Sequence, residues 1–328
     1  MKSEIIYLIQ ASDSNDMLTD DNLSFIESGY NLDSSYYGVT PMSTRTFDAE
    51  RIKTNGIYLN VIQGGPEDGP LVILLHGFPD FWFGWRKQIG YLSDLGLRVW
   101  VPDQRGYNLS DKPKGVNQYQ VHNLVDDVIG LIDAAGEEQA MLVGHDWGAM
   151  VAWWAALYHP ERVSKLSILN VPHPKIFYET ALSSFEQLRK SWYVGFFLLP
   201  GVPERAFKQF NSNIVLNRLQ SDALDGSFSD DELEWYRTAW QRPNALNSML
   251  NWYRAYVWQQ PEDPVSWQVT VPTTMIWGEN DDYLSAAMAQ PSIDLCDEGQ
   301  LYMIPDATHW VQRDAKDQVN QLLGNFLT

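Results

Sequence analysis

One stretch in the middle of the chain, AMLVGHDWGA at residues 140–149, constrains the fold more than any other part of the sequence. A buried-strand run leads into Gly144, Asp146 and Gly148, and an apolar helical segment follows at once. A strand that turns into a helix within one turn strains the residue at its apex, and side chains two positions away would collide. The pattern therefore predicts that Asp146 stands at a helix N-terminus, where the partial positive charge favours an anion. By itself, the pattern is equally typical of an Asp that only caps the helix.

Strands and helices alternate on both sides of this turn. Apolar runs and alternating patterns predict strands at residues 57–63, 71–75, 99–101, 140–143, 166–169, 273–277 and 301–304. Helical spacing predicts helices at residues 82–95, 123–135, 148–158 and 315–326. Strands that alternate with helices predict an α/β fold with a mostly parallel sheet that helices cover on both faces.

A helical insert interrupts this alternation. Residues 172–266 are dense in Trp, Tyr and Phe, and helices are predicted at residues 184–196, 203–211, 230–240 and 245–258. An insert between two parallel strands would lie above the carboxyl edge of the sheet, where ligands bind in such folds. We therefore expect a core at residues 45–171 and 267–328, with the insert as a helical cap or lid. Residues 1–44 are rich in Ser, Asp and Asn and are predicted to be an acidic, poorly ordered extension.

Composition narrows the possible partners. The net charge of −19 argues against binding to nucleic acid or to an anionic membrane surface. The single cysteine, Cys296, excludes an internal disulfide and a multi-cysteine metal site. We find no HExxH pattern and no phosphate-binding glycine pattern, so neither a metal nor an organic cofactor is expected. Without a signal peptide or a membrane-length apolar run, the chain is expected to be cytoplasmic.

Three further segments place chemical groups after predicted strands. His76-Gly77 ends the strand at 71–75, an acid ends the strand at 273–277, and His309 follows the strand at 301–304. The acid is Asp281, with Asp282 as a close alternative. The order nucleophile, acid, histidine is that of the α/β-hydrolase fold, and Asp146 takes the position where Ser is usual. In that fold, the oxyanion hole is formed by backbone N–H groups, which are those of Phe78 and Trp147 in this chain.

The motifs GHDWGA, HGFPDFWFGWR, DQRGY, WGENDDYL and ATHW resemble the epoxide hydrolase branch of the α/β-hydrolase superfamily. The resemblance runs from about residue 45 to the C-terminus, and NVPHP, SWYVGFFLLPGVPE and NWYR are similar to the cap of that branch. It implies an Asp–His–Asp triad, carried here by Asp146, His309 and Asp281, and two cap tyrosines, Tyr193 and Tyr253. One departure is Asn108, where the branch usually has Gly.

An aspartate nucleophile changes the class of substrate. A carboxylate has an ordinary pKa of about 3.9 and needs no base to act as a nucleophile at neutral pH. Attack on an sp³ carbon would give an alkyl-enzyme ester at Asp146, and His309 would activate the water that hydrolyses it. An epoxide leaves as a basic alkoxide, for which the phenols of Tyr193 and Tyr253 are suitable proton donors. The expected reaction is hydrolysis of a small apolar epoxide to a vicinal diol, with water as the only co-substrate.

Two alternatives remain at this point. A haloalkane dehalogenase would use the same triad and would bind halide through N–H donors; Trp147 fits either activity, and Trp192 is a conceivable second donor. A non-catalytic, small-molecule-binding member of the fold is the other alternative. The substrate pocket is expected to be lined by Phe78, Pro79, Trp147, Trp192 and Trp310. Structural roles are expected for a further group of polar residues, namely Asp80, Asp103, Arg105, Asp111 and His145.

Overall fold

The computed structural model describes residues 30–32, 45–209 and 212–328. The prediction of a poorly ordered extension at residues 1–44 lies outside the described residues, apart from one short strand at Tyr30–Leu32. This strand, β1, pairs antiparallel with the beginning of β2 (Arg45–Thr54). The described structure therefore begins at the edge of a sheet.

The sheet confirms the prediction of a mostly parallel α/β fold. The strands after β2 are β3 (Ile57–Gly64), β4 (Leu71–Leu75), β5 (Arg98–Pro102), β6 (Ala140–His145), β7 (Val163–Leu169), β8 (Thr273–Gly278) and β9 (Gly299–Ile304). Their spatial order is β1-β2-β3-β5-β4-β6-β7-β8-β9, and the strands from β5 onward in this order are all parallel. All of the predicted strands are present, whereas the β2 strand was not predicted.

Helices of the core pack on both faces of this sheet. They are α1 (Arg86–Asp94), α2 (Val121–Ala134), α3 (Trp147–Tyr158), α11 (Ala289–Ile293), α12 (Val311–Asp314) and α13 (Lys316–Leu327). The α3 helix lies against β4, β6 and β7 and is covered by α2, while α1 packs on α13. Trp153 and Trp154 of α3 are both fully buried, which explains why this helix is apolar all round.

The insert between β7 and β8 is helical, as expected, but it contains more helices than the sequence predicted. They are α4 (Pro174–Ser183), α5 (Phe185–Lys190), α6 (Trp192–Phe197), α7 (Val202–Gln209), α8 (Asn213–Ser221), α9 (Asp230–Gln241) and α10 (Ala245–Trp258). The predicted helix at residues 184–196 is broken at Ser191, and α4 and α8 were not predicted. A capping box formed by Ser229 and Glu232 begins α9. Within the described ranges, we find no helix of the length and apolarity needed to span a bilayer.

The insert covers the carboxyl edge of the sheet because the chain leaves β7 at that edge and returns to the neighbouring strand β8. Hydrogen bonds hold the helices of the insert to the loops of the core at this edge. The Trp252 indole of α10 donates to the Arg105 carbonyl at 3.0 Å, and Lys190 of α5 donates to the Asp281 carbonyl at 2.6 Å. The insert therefore forms a roof over the loops that follow the parallel strands.

Candidate active site

Asp146 lies at the apex of the turn between β6 and α3. Its backbone has φ 51° and ψ −124°, a strained conformation for a residue with a side chain. A Cβ on Gly148 would lie 2.1 Å from the Leu75 carbonyl oxygen, and one on Gly144 would lie 2.5 Å from Ala149 Cα. The two glycines are therefore required by close backbone approach. The Asp146 side chain makes no capping hydrogen bond with α3, so the capping alternative does not describe this residue.

The Asp146 carboxylate is held by the loop that follows β4. The backbone N–H of Phe78 donates to Asp146 Oδ1 at 2.6 Å. Trp147 is the first residue of α3, and the backbone N–H of a first helical residue is not used within the helix. Phe78 N–H thus contacts the carboxylate directly, while the unused N–H of Trp147 belongs to the helix N-terminus that begins at Asp146.

His309 lies between Asp146 and Asp281. Its Nδ1 is 2.7 Å from Asp281 Oδ2, and its Nε2 is 3.6 Å from Asp146 Oδ2. The ring and the Asp281 carboxylate are both buried, whereas the side chain of Asp282 is 72% exposed. The loops after β8 and β9 therefore bring Asp281, and not its neighbour, against the histidine.

Asp281 is fixed by donors other than the histidine. Asn170 Nδ2 donates to Asp281 Oδ2 at 2.8 Å, and the backbone N–H groups of Tyr283 and Leu284 donate to Oδ1 at 2.7 and 2.9 Å. The sequence prediction missed Asn170, although its position directly after β7, as the first residue of NVPHP, is a detectable signal. These three donors hold the carboxylate in place independently of the state of His309.

Electrostatics make this pair an ion pair. Burial lowers the pKa of His309, but the Asp281 carboxylate with its hydrogen bond, together with the nearby Asp146 carboxylate, outweighs burial and raises that pKa to about 10. Burial likewise acts to raise the pKa of Asp281, but the adjacent His309 holds it below its usual value. His309 is therefore protonated at neutral pH as long as the Asp146 carboxylate is charged.

A cavity of about 100 Å³ opens beside Asp146, under the helices of the insert. Tyr193 of α6 and Tyr253 of α10 line it together with Asp146 and Trp147. The Tyr253 ring packs edge-on against Trp147 and Phe78, with ring centres 5.0 and 5.3 Å apart. Burial, with the Asp146 charge as a further cause, raises the pKa of both tyrosines well above its usual value. Both phenols are consequently protonated and can donate hydrogen bonds into the cavity.

The rest of the cavity wall is mostly apolar and was missed by the sequence prediction. The remaining lining residues are Met150, Val171, Pro172, Phe177, Ser191, Val194, Tyr256, Val257 and Leu284. They come from α3, from the α4 region, and from α6, α10 and the loop after β8. Only Met150 had a local signal, because it lies one helical turn after Asp146.

Of the five predicted pocket residues, Trp147 lines the cavity, whereas Phe78, Pro79, Trp192 and Trp310 are not among the residues that line it. The Trp192 side chain is 72% exposed, so its prediction as a pocket residue is wrong. Successive helical residues point about 100° apart, and on α6 the inward position belongs to Tyr193. Trp310 packs against His309, and the Pro79 carbonyl accepts a hydrogen bond from Trp240.

The polar residues to which structural roles were assigned form hydrogen-bonded supports. His145 contacts the His309 carbonyl at 2.7 Å, and burial lowers the pKa of His145 to about 4. Arg105 makes a two-pronged pair with Asp127, and Asp111 pairs with Arg51.

Asp80 and Asp103 are buried carboxylates with hydrogen-bond or ion-pair partners of their own. Asp80 contacts Arg313 at 3.1 Å, while Asp103 accepts from the Asn108 amide at 2.9 Å. Asn108 has φ 35°, which explains the departure from Gly, since Asn tolerates positive φ better than other side chains. Its side chain also accepts from Arg242 of the insert at 2.8 Å.

Comparisons with known proteins agree with this geometry. Residues 70–315 match the family model described as the alpha/beta hydrolase fold. The chain is 42% identical over 276 residues to AB hydrolase superfamily protein YfhM of Bacillus subtilis (strain 168), covering 84% of this chain and 96% of that protein. It is 36% identical to Epoxide hydrolase 4 of Homo sapiens, covering 84% of this chain and 77% of that one. A crystal structure of a Bacillus megaterium epoxide hydrolase with an inhibitor superposes with a TM-score of 0.77 at 29% identity, covering 85% of this chain and 99% of that chain.

Proposed function

The chain belongs to the α/β-hydrolase family, and from that membership we propose that it hydrolyses an epoxide to a vicinal diol through an ester on Asp146. One observation carries the proposal. Asp146 shares a small cavity with two protonated tyrosines, Tyr193 and Tyr253, while the His309–Asp281 pair lies 3.6 Å behind its carboxylate. Similarity to epoxide hydrolases among relatives and solved structures supports the same reaction.

In the first step, Asp146 attacks an epoxide carbon and opens the ring. The hydrogen bond from Phe78 N–H to Oδ1 fixes the carboxylate and leaves Oδ2 as the attacking oxygen. The C–O bond of the ring breaks as the ester bond forms, and its electron pair stays on the departing oxygen. Tyr193 and Tyr253 hydrogen-bond that oxygen and supply its proton, because burial has kept both phenols protonated.

In the second step, His309 removes a proton from water, which attacks the ester carbon of Asp146. The negative charge of Asp146 contributes to the raised pKa of His309 in the free protein. Ester formation neutralises Asp146, so the pKa of His309 falls. The proton that His309 gives up restores the phenol that protonated the departing oxygen, and Nε2 is then free to act as a base. Asp281 stabilises the resulting imidazolium. The N–H groups of Phe78 and Trp147 stabilise the tetrahedral oxyanion, which collapses as the bond between the ester carbonyl carbon and the alkoxide oxygen breaks. The imidazolium of His309 protonates that oxygen and the diol leaves, and Asp146 returns to a carboxylate by giving its own proton to the imidazole.

The cavity limits the size and polarity of the substrate. A volume of about 100 Å³ has room for roughly seven to ten water-sized groups. Beyond Asp146 and the two tyrosines, its wall is mostly apolar and, among the residues that the structure describes, contains no charged side chain, so an ionic substituent would lose its hydration without gaining a charged partner. We expect small epoxides with an apolar substituent to be the best substrates.

The dehalogenase alternative is less consistent with this cavity. Halide release needs two N–H donors, and Trp147 is the indole among the lining residues. Trp192, the second donor considered, is exposed, and Phe78 has no side-chain donor. Tyrosine hydroxyls suit an alkoxide, which must be protonated, better than a halide, which need not be.

A single turnover in ¹⁸O-water tests the proposal. With enzyme in excess of a styrene-type epoxide, the first diol should carry unlabelled oxygen from Asp146, and the label should appear in the peptide that contains Asp146. The Asp146→Ala variant should form no diol and serves as the control. A first-turnover diol that carries ¹⁸O would refute the ester, and halide release from a haloalkane without any epoxide turnover would support the alternative.

A further inference from the structure

A helix of the insert, α9, is hydrogen-bonded to the turn that carries Phe78, the loop donor of the oxyanion hole. Residues 77–80 form a tight turn, closed by a hydrogen bond from Asp80 N–H to the Gly77 carbonyl at 3.0 Å. Phe78, whose N–H reaches Asp146, lies inside this turn. Two side chains of α9 bind the turn on its other side, and neither contacts the cavity or the triad.

The first contact is Tyr236. Its buried hydroxyl donates to Asp80 Oδ1 at 2.6 Å and accepts from Arg313, which itself bonds the Asp80 carboxylate at 3.1 and 3.2 Å. Asp80, Tyr236 and Arg313 are all buried, so these bonds are little weakened by competition with water.

The second contact is Trp240, one turn further along α9. Its indole N–H donates to the Pro79 carbonyl at 2.6 Å, and its ring packs against Tyr236. The two contacts therefore fix both residues that follow Phe78. The N-terminus of α9 is itself fixed to the core, because Glu232 at the beginning of the helix forms a buried ion pair with Arg86 of the core at 2.5 Å.

We propose that α9 is a positioning element of the oxyanion hole, in which Tyr236 and Trp240 hold the 77–80 turn so that Phe78 N–H points at Asp146. This inference rests on the proposed function. The roof over the cavity thus contributes to hydrolysis of the ester as well as to enclosure of the substrate.

The two chemical steps depend differently on this positioning. In the first step, the Asp146 oxygen bonded to Phe78 N–H loses negative charge as the carboxylate becomes an ester. In the second step, full negative charge develops on that oxygen in the tetrahedral intermediate. A hydrogen-bond donor accelerates a step only if its bond is stronger in the transition state than in the ground state of that step. A loosened turn should therefore slow hydrolysis of the ester and leave its formation nearly unchanged.

The test compares Tyr236→Phe and Trp240→Phe with the wild-type protein, using rapid quench and intact-protein mass measurement. Each variant should hydrolyse the ester about tenfold more slowly, a fraction of the loss for a whole oxyanion donor. Ester should then accumulate, while the rate of its formation and kcat/KM stay within about twofold because loosening the turn spares the first transition state. Tyr119→Phe is the matched control, since it removes the hydroxyl of another buried tyrosine, bonded to the Pro113 carbonyl at 2.8 Å, and should change neither step.

Two results would overturn this inference and leave the proposed function standing. One is a wild-type rate of ester hydrolysis in both variants, and the other is a loss of kcat/KM as large as the loss of kcat. A merely structural role would give the second result, because a loosened insert would weaken substrate binding and ester formation too. If the Asp146 peptide of the wild-type protein takes up no ¹⁸O during turnover in ¹⁸O-water, the proposed function is removed instead, and this inference with it. Trp240→Phe addresses the same turn through a separate bond, so it provides the test if Tyr236→Phe does not fold.

Discussion

Replacing His309 with Gln should stop the reaction after its first step. The imidazole Nε2 is 3.6 Å from Asp146 Oδ2, which is longer than a hydrogen bond, while Phe78 N–H orients the carboxylate at 2.6 Å. Ester formation should therefore lose at most about threefold, since it does not use the base. Asp281 keeps its bonds from Asn170 and two backbone N–H groups, so its loop should hold its position.

The second step should lose the whole contribution of the base. General-base catalysis contributes about 10²–10⁴ in rate, equivalent to about 3–5 kcal/mol of activation free energy. Turnover should then fall by at least about 10²-fold, and one substrate per chain should remain attached to the peptide that contains Asp146.

The assay mixes His309→Gln with excess epoxide, quenches in acid at intervals, and follows the intact mass. The double variant Asp146→Ala/His309→Gln is the control and should gain no mass. A His309→Gln protein that is inactive yet shows neither adduct nor burst would refute the two-step scheme.

Three further predictions concern the tyrosines, the elbow and pH. Tyr193→Phe and Tyr253→Phe should each lower kcat/KM by up to about 10²-fold, and the double variant by clearly more, because both donors share one oxyanion; equal losses would contradict this. Gly148→Ala should lower the melting temperature by several degrees, about 1–3 kcal/mol, because its Cβ would lie 2.1 Å from a β4 carbonyl, whereas Gly195→Ala, with open space, should not. Because the pKa of His309 is raised from 6.5 to about 10, the stability that its charged form contributes is complete below pH 6.5 and is lost as pH rises towards 10. The melting temperature of the wild-type protein should therefore fall between pH 6.5 and 10. An equal fall in the His309→Gln variant would contradict this.

Local patterns in the sequence were sufficient for strands β3 to β9 and for the order of the site residues, but not for β1 and β2. Buried strands are marked by short apolar runs, and the predicted strand at residues 71–75 coincides with β4. The elbow was predictable because close backbone approach leaves room only for glycine at Gly144 and Gly148. These features depend on residues that are neighbours along the chain, so a single sequence contains them.

Other features were decided by contacts between distant segments. Asp281 and Asp282 are chemically identical, and only the turn after β8 selects the one that faces His309. Trp192 and Tyr193 are adjacent aromatics, and the orientation of α6 over the core decides which one lines the cavity.

The sequence by itself therefore determined the fold, the elbow and the residue types available for chemistry, because local backbone sterics and hydrophobic periodicity act over a few residues. The tertiary structure alone decided the cavity wall and the grip of α9 on the oxyanion turn. Tyr236 lies 156 positions from the Asp80 carboxylate that it binds. Such a contact follows from how whole layers pack, and packing is a property of the assembled chain that no local pattern encodes.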